Sequence, residues 1–253
     1  SSGENYNKNY KQIIKLIYQA IAKKSDLIIT PETSTLITND KKILYKNTFT
    51  MKKDPLVKKI KQISKKYKKW ILIGSLSIKD KKKYRNRSIM ISPKGNIVKY
   101  YDKIKMFDVK LPNREKHQES KTFIPGKKLV SINLPWGKLG LTICFDLRFP
   151  EIYRNLSKKK LHFISVPSAF TKITGQKHWL TLLKARAIEN FSYIFAPNQV
   201  GKNTKKRETF GHSVIISPDG KILKLKKKGV GNIYADIDPN LSMRLRKIIP
   251  SLN

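Results

Sequence analysis

Cysteine occurs once in the 253 residues, at position 144, so no internal disulfide can form and a reducing, cytoplasmic compartment is expected. No stretch approaches eighteen consecutive apolar residues, which leaves no candidate membrane span and no expected membrane partner. The opening Ser-Ser-Gly-Glu-Asn-Tyr lacks both an initiator Met and the charged-then-apolar pattern of a secretory signal. Four histidines and a single cysteine, spread along the chain, offer no ligand cluster, so neither a metal nor another cofactor is expected. Acidic residues are also scarce: 17 Asp+Glu against 55 Lys+Arg give a net charge of +38. Such a charge raises the possibility of a nucleic-acid or polyanion binder. Against it, the basic residues are mostly lysines dispersed over the whole chain, with no zinc-finger spacing, aromatic RNA-binding signature or contiguous basic arm. Non-specific polyanion binding at low salt is expected, and a specific nucleic-acid partner is not.

What the chain does have is alternating helical and strand-like segments in a length that suits one domain, 1–253. Residues 8–24 place Ile13, Leu16, Ile17, Ala20 and Ile21 on one helical face, capped by Asn7 or a neighbour, and 27–30 reads as a short buried strand ending at Pro31, with Glu32 just beyond. An acid at such a strand end sits where α/β folds assemble sites, although a solvated loop carboxylate reads equally simply. A second amphipathic helix (55–69) and a strand (70–78) follow, with 79–84 as a turn. The Ile-Ser-Pro-x-Gly hairpin of 88–101 recurs at 214–224, which suggests two similar α/β halves packed sheet on sheet. Lys103 and Lys105 leave the first hairpin. The polar connection 109–128 holds Glu115 and Glu119, and its length marks it as a functional loop. A hairpin over 130–133 and 138–143 delivers Cys144, and a helix opens at Pro150. Further on come a strand (161–166), a loop over 167–179, a helix (177–190) with Arg186 and Glu189 at i,i+3, a strand (192–197), a polar loop (199–207), strands over 210–217 and 231–237, and a short terminal helix.

Cys144 is the chain's only plausible nucleophile of this type. At a strand-to-helix junction, free backbone N–H groups can favour its thiolate; the plainer alternative is a small buried hydrophobe.

The order of these features is more specific than any one of them. Ile-Ile-Thr-Pro-Glu32, Tyr-Asp-Lys103-Ile-Lys-Met-Phe-Asp and Gly-Leu-Thr-Ile-Cys144-Phe-Asp-Leu-Arg-Phe-Pro-Glu resemble the three catalytic blocks of the nitrilase superfamily of carbon–nitrogen hydrolases. The likeness extends through Gln118-Glu-Ser-Lys-Thr-Phe-Ile-Pro-Gly126, the segment 167–179, Leu183-Lys-Ala-Arg-Ala-Ile-Glu-Asn190 and Gly211-His-Ser213, nearly the whole chain. Within the superfamily it looks most like the amidase branch that includes deaminated glutathione amidases and ω-amidases.

The resemblance implies a four-layer α-β-β-α sandwich, with internal pseudo-two-fold similarity, that assembles as a homodimer or higher homo-oligomer. It implies Cys144 as nucleophile, Glu32 as proton carrier, Lys103 as oxyanion partner and Glu119 as a second carboxylate orienting Lys103. Phe145, Phe170, Thr171, Thr174 and His178 are the expected substrate-binding residues. The implied substrate is a small carboxylate-bearing primary amide, a 2-oxo acid ω-amide or deaminated glutathione, cleaved to acid and ammonia through a thioester. N-carbamoyl or nitrile hydrolysis within the same superfamily is the competing chemistry, and a polyanion-binding protein on a degenerate hydrolase scaffold is the competing class. Family members begin with a buried strand ahead of the segment matching residues 1–5; its absence here leads to the expectation that the natural chain starts earlier.

Overall fold

The computed structural model describes residues 1–111, 116–205 and 207–252. Glu115 lies outside the described residues. Helix α1 (Tyr6–Ala22) starts where Asn5 accepts the Lys8 N–H at 3.0 Å, two residues before the expected cap. It buries Ile13, Ile17 and Ala20, the stripe set by helical spacing. Strand β1 (Leu27–Ile29) follows, then a short helix, α2 (Lys41–Lys46), capped by Asp40. The periodicity of so few residues does not separate α2 from a loop. Helix α3 (Pro55–Tyr67) carries Pro in its first turn, and Asp54 accepts the N–H groups of Leu56 at 2.8 Å and Val57 at 3.1 Å. Strands β2 (Trp70–Asp80), β3 (Lys83–Ile91) and β4 (Ile97–Asp102) complete a four-stranded sheet in the order β1-β2-β3-β4. The expected 79–84 turn is shorter, because both strands run on to Asp80 and Lys83.

The long connection holds a small hairpin, β5 (Asp108–Lys110) with β6 (Lys116–Gln118). The second half contains β7 (Val130–Leu134), β8 (Gly137–Leu141), α4 (Pro150–Ser157), β9 (Phe163–Ser165), α5 (Lys172–Asn190) and β10 (Tyr193–Ala196). The hairpin β11 (Val200–Thr204) and β12 (Arg207–Phe210) comes next, followed by β13 (Ser213–Ile216), β14 (Ile222–Lys226) and α6 (Asn240–Ile248). The second sheet has six strands, in the order β14-β13-β10-β9-β8-β7.

The internal repeat is visible in the ladders. In the first sheet β1 runs parallel to β2, and β2–β3 and β3–β4 are antiparallel. In the second, β9 runs parallel to β10, and β10–β13 and β13–β14 are antiparallel. Side chains on β2 alternate between layers, as a period of two requires. Ile71 and Ile73 pack with Ile17, Leu56, Ile60 and Ile63 of α1 and α3, whereas Leu72 joins Met90 and Tyr101 against Leu139, Leu141 and Ile164 of the second sheet. Helix, sheet, sheet and helix therefore stack as four layers.

Three segments differ from their sequence reading. The polar 199–207 stretch is mostly the β11–β12 hairpin, whose pattern shows no apolar alternation because its outer face is open to solvent. Helix α5 begins at Lys172, five residues before the expected start. Gly175, which reads as a breaker, is there because a Cβ would come within 2.4–2.6 Å of the Phe210 ring. Residues 231–237 form no ladder among the described residues; this stretch runs against α1, where Asn232 Nδ2 donates to the Leu16 carbonyl at 2.9 Å.

Candidate active site

Four chain segments converge between the two sheets. Pro31 stops the β1 ladder and puts Glu32 past its end, buried. Glu32 Oε1 accepts from Lys103 Nζ at 3.0 Å and from Asn86 Nδ2 at 2.9 Å, and Oε2 accepts the Ala169 N–H at 2.8 Å. Lys103 is the first residue after β4, buried, and its Nζ also donates to Glu119 Oε2 at 2.8 Å. Glu119 opens a single 3-10 turn; it further accepts the Phe107 N–H at 2.7 Å and, through Oε1, Asn86 Nδ2 at 3.0 Å. Asn86 on β3 therefore ties the two carboxyl groups together.

Strand β8 does not pass straight into a helix. A 3-10 turn, Cys144–Arg148, intervenes, and Cys144 has φ of +46°, a left-handed conformation that costs a non-glycine residue free energy. Two hydrogen bonds and a buried acid hold this turn. The Cys144 N–H donates to the Pro167 carbonyl at 3.0 Å and the Thr142 N–H to the Ser165 carbonyl at 3.1 Å. Asp146 accepts the Ile143 N–H at 2.9 Å, the Tyr101 hydroxyl at 2.7 Å and the Lys105 N–H at 2.9 Å. The same side chain thus anchors the Cys144 turn to the segment that bears Lys103.

Electrostatics assign the protons. Burial pushes the Cys144 thiol well above its ordinary range, the Glu32 carboxylate adds to this, and Lys103 opposes it. The junction therefore holds a thiol rather than the thiolate expected from free helical N–H groups, because desolvation outweighs the backbone contribution. For Glu32 burial acts upward, but Lys103, then Arg207, then hydrogen bonds from Cys144 and Lys103 bring it below the usual carboxylate value. Burial alone would lower Lys103; Glu119, Glu32 and Cys144 raise it instead, so it is a firm ammonium. A neutral thiol beside an ionised carboxylate, with an ammonium alongside, is an arrangement for general-base activation of sulfur.

These groups open on a cavity of about 300 Å³ lined also by Phe145, Phe170, Thr171, Thr174 and Arg207. Thr171 and Thr174 hydroxyls pair at 2.8 Å, and Phe170 packs on Trp179 with ring centroids 4.9 Å apart. Four of the five expected binding residues are thus on the cavity wall. His178 is not: it stands on α5 with Nδ1 at 3.2 and 3.3 Å from the Arg148 guanidinium, outside the lining. Lys105, the other candidate lysine, is partly exposed and lies 3.6 Å from Glu151. Asn86, Asp146 and Arg207 belong to the arrangement without having been singled out; an Asn within a Lys/Arg-rich strand and an Arg in a polar stretch carry no distinguishing pattern.

The fold and this cluster define a hydrolase with a cysteine, a carboxylate and a lysine at one cavity. The family model for carbon–nitrogen hydrolases matches residues 3–247, and the chain belongs to that family. It is similar to the deaminated glutathione amidase of Yersinia enterocolitica, 35% identical over 256 residues, covering 99% of this chain and 88% of that protein. The protein of the same name from Dictyostelium discoideum is 35% identical over 262 residues, covering 100% and 90%. Among solved structures, the Caenorhabditis elegans NitFhit protein superposes with a TM-score of 0.90 at 31% identity, over 99% of this chain and 61% of that one. Saccharomyces cerevisiae Nit3, a member of branch 10 of the nitrilase superfamily, gives 0.87 at 26% identity, over 99% and 91%.

Proposed function

We propose that this carbon–nitrogen hydrolase is an amidase that cleaves a small carboxylate-bearing primary amide, of the 2-oxo acid ω-amide or deaminated glutathione type, to its acid and ammonia. The observation that carries the reading is the buried Glu32, Lys103 and Cys144 set at one cavity, with Lys103 hydrogen-bonded to Glu32; the names of the similar amidases supply the substrate class.

In this reading Glu32 takes the Cys144 proton as sulfur attacks the amide carbon. The tetrahedral oxyanion is stabilised by the Lys103 ammonium and a backbone N–H at Phe145. Glu32 returns the proton to nitrogen, the C–N bond breaks, and ammonia leaves a thioester on Cys144. Water then enters, Glu32 draws its proton, the acid departs and the thiol is restored. Glu119 keeps Lys103 charged and aimed. Residues 1–253 act as one hydrolase domain, in a reducing cytoplasm and as a homodimer, which sedimentation would check.

An ammonia-release screen over amide, N-carbamoyl and nitrile substrates, repeated with Cys144→Ala, tests the reading. Release from carboxylate-bearing amides, lost in the variant, is the expected result; turnover confined to carbamoyl or nitrile compounds would replace the amide assignment.

A further inference from the structure

Most arginines placed near an acid in this protein are used by it: Arg85 pairs with Asp80, Arg87 with Asp102, Arg186 with Glu189 and Arg244 with Asp238. Arg207 is different. It begins β12, next to the point where the β11–β12 register shifts, and it lines the cavity of Cys144. Its Nη2 donates to the Ala169 carbonyl at 3.0 Å. Its Nε is buried with no acceptor, and no carboxylate lies within ion-pair distance among the described residues. A guanidinium presents five N–H donors in a planar fork suited to a carboxylate, and an unused buried donor is costly.

Of the other cations around the cavity, Lys41, Lys116 and Lys121 are exposed lysines on its wall, and the two less exposed ones are already engaged. Lys103 is bonded to both Glu32 and Glu119. Arg148 lies over the Phe145 and Phe170 rings at 5.9 and 5.2 Å, against His178, and outside the cavity lining.

We propose that Arg207 is the specificity-determining residue of the cavity, donating its free N–H groups to the carboxylate of an amide substrate and so selecting anionic over neutral amides. This assignment rests on the amidase reading. It also couples binding to chemistry: Arg207 is one of the cations that hold Glu32 down, so a bound carboxylate that neutralises Arg207 leaves Glu32 a stronger base.

The test compares succinamate with butanamide, which lacks the carboxylate, for the full-length wild type, Arg207→Gln, Arg207→Lys and Arg148→Gln. Arg207→Gln is expected to lower the succinamate-to-butanamide ratio of kcat/KM by about ten- to a hundredfold, chiefly through KM. Arg207→Lys should recover part of it. The acid limb of kcat/KM should move to higher pH in Arg207→Gln, since a cation that lowers Glu32 is gone. Equal losses on both substrates, or a ratio that follows Arg148→Gln instead, would overturn the assignment. Succinate binding by calorimetry to Cys144→Ala, with and without Arg207→Gln, reads the residue without turnover. A tenfold or greater weakening supports it, and unchanged affinity refutes it even if the wild type proves to release no ammonia from either amide.

Discussion

The two halves of the molecule share a ladder pattern and differ in what they place at its ends. After β1 the chain reads Thr30-Pro31-Glu32; after β9 it reads Val166-Pro167-Ser168, with Thr30 and Val166 donating to equivalent strand carbonyls, Leu72 and Phe195, at 3.0 and 2.8 Å. Both prolines follow a parallel strand, and the halves differ in the residue after each. In the first half that residue is the acid. In the second it is Ser168, followed by Ala169, whose N–H donates to Glu32. The first half therefore supplies the charges bonded to one another, Glu32, Lys103 and Glu119, and the second supplies a neutral thiol, the Arg207 guanidinium and the Phe145, Phe170, Thr171 and Thr174 part of the wall. A repeated scaffold brings two strand ends face to face, and a few differences at matching positions divide the chemistry between them.

Breaking the second half's contribution has the largest expected effect. Cys144→Ala should reduce ammonia release by about 10⁴-fold or more while the unfolding midpoint stays close to wild type, as thermal melts would show. Breaking the first half through Glu32→Gln should cost roughly 10²- to 10⁴-fold. It should also move the pH midpoint of iodoacetamide alkylation at Cys144 downward, since the Glu32 carboxylate raises the thiol. Lys103→Met should cost about 10²- to 10³-fold and move that midpoint the other way, because Lys103 lowers the thiol. Midpoints that move together would contradict this division. Asn86→Ala, which unties Glu32 from Glu119, should cost about tenfold in kcat.

The smallest effect concerns stability, where each half buries one aspartate. Asp54 and Asp146 are each pushed by burial up to about 6. A carboxyl whose folded value exceeds its unfolded value binds its proton more tightly when folded, so its contribution to stability grows as pH falls from above 6 toward about 4. Asp54→Asn keeps a capping side chain and removes this dependence. Chemical denaturation at pH 7.5 and 5 should show the wild type gaining about 1–2 kcal/mol on the variant at the lower pH.

Much of this was legible in the chain. Helical spacing of Ile13, Ile17 and Ala20 marked the buried face of α1, and the twice-used Ile-Ser-Pro-x-Gly hairpin announced the duplication. Glu32, Lys103, Glu119 and Cys144 do converge, because each sits at a strand end or loop that the repeat turns inward. The remainder depended on tertiary partners. The thiol's proton is set by burial, which no local pattern reports, and His178 lies outside the cavity lining with its ring against the Arg148 guanidinium, a tertiary contact. Residues 231–237 alternate like a strand, yet a strand exists only where a neighbour completes its ladder. Asn86 and Arg207 matter through positions set by β3 and β12, not through any motif.

The proposed reaction turns on a covalent step at one atom, the Cys144 sulfur. Rapid quenching of the wild-type enzyme with a carboxylate-bearing amide, followed by peptide mass spectrometry, should show the acyl group on the peptide containing Cys144 and none in Cys144→Ala. Turnover without that adduct, and undiminished in the variant, would contradict it.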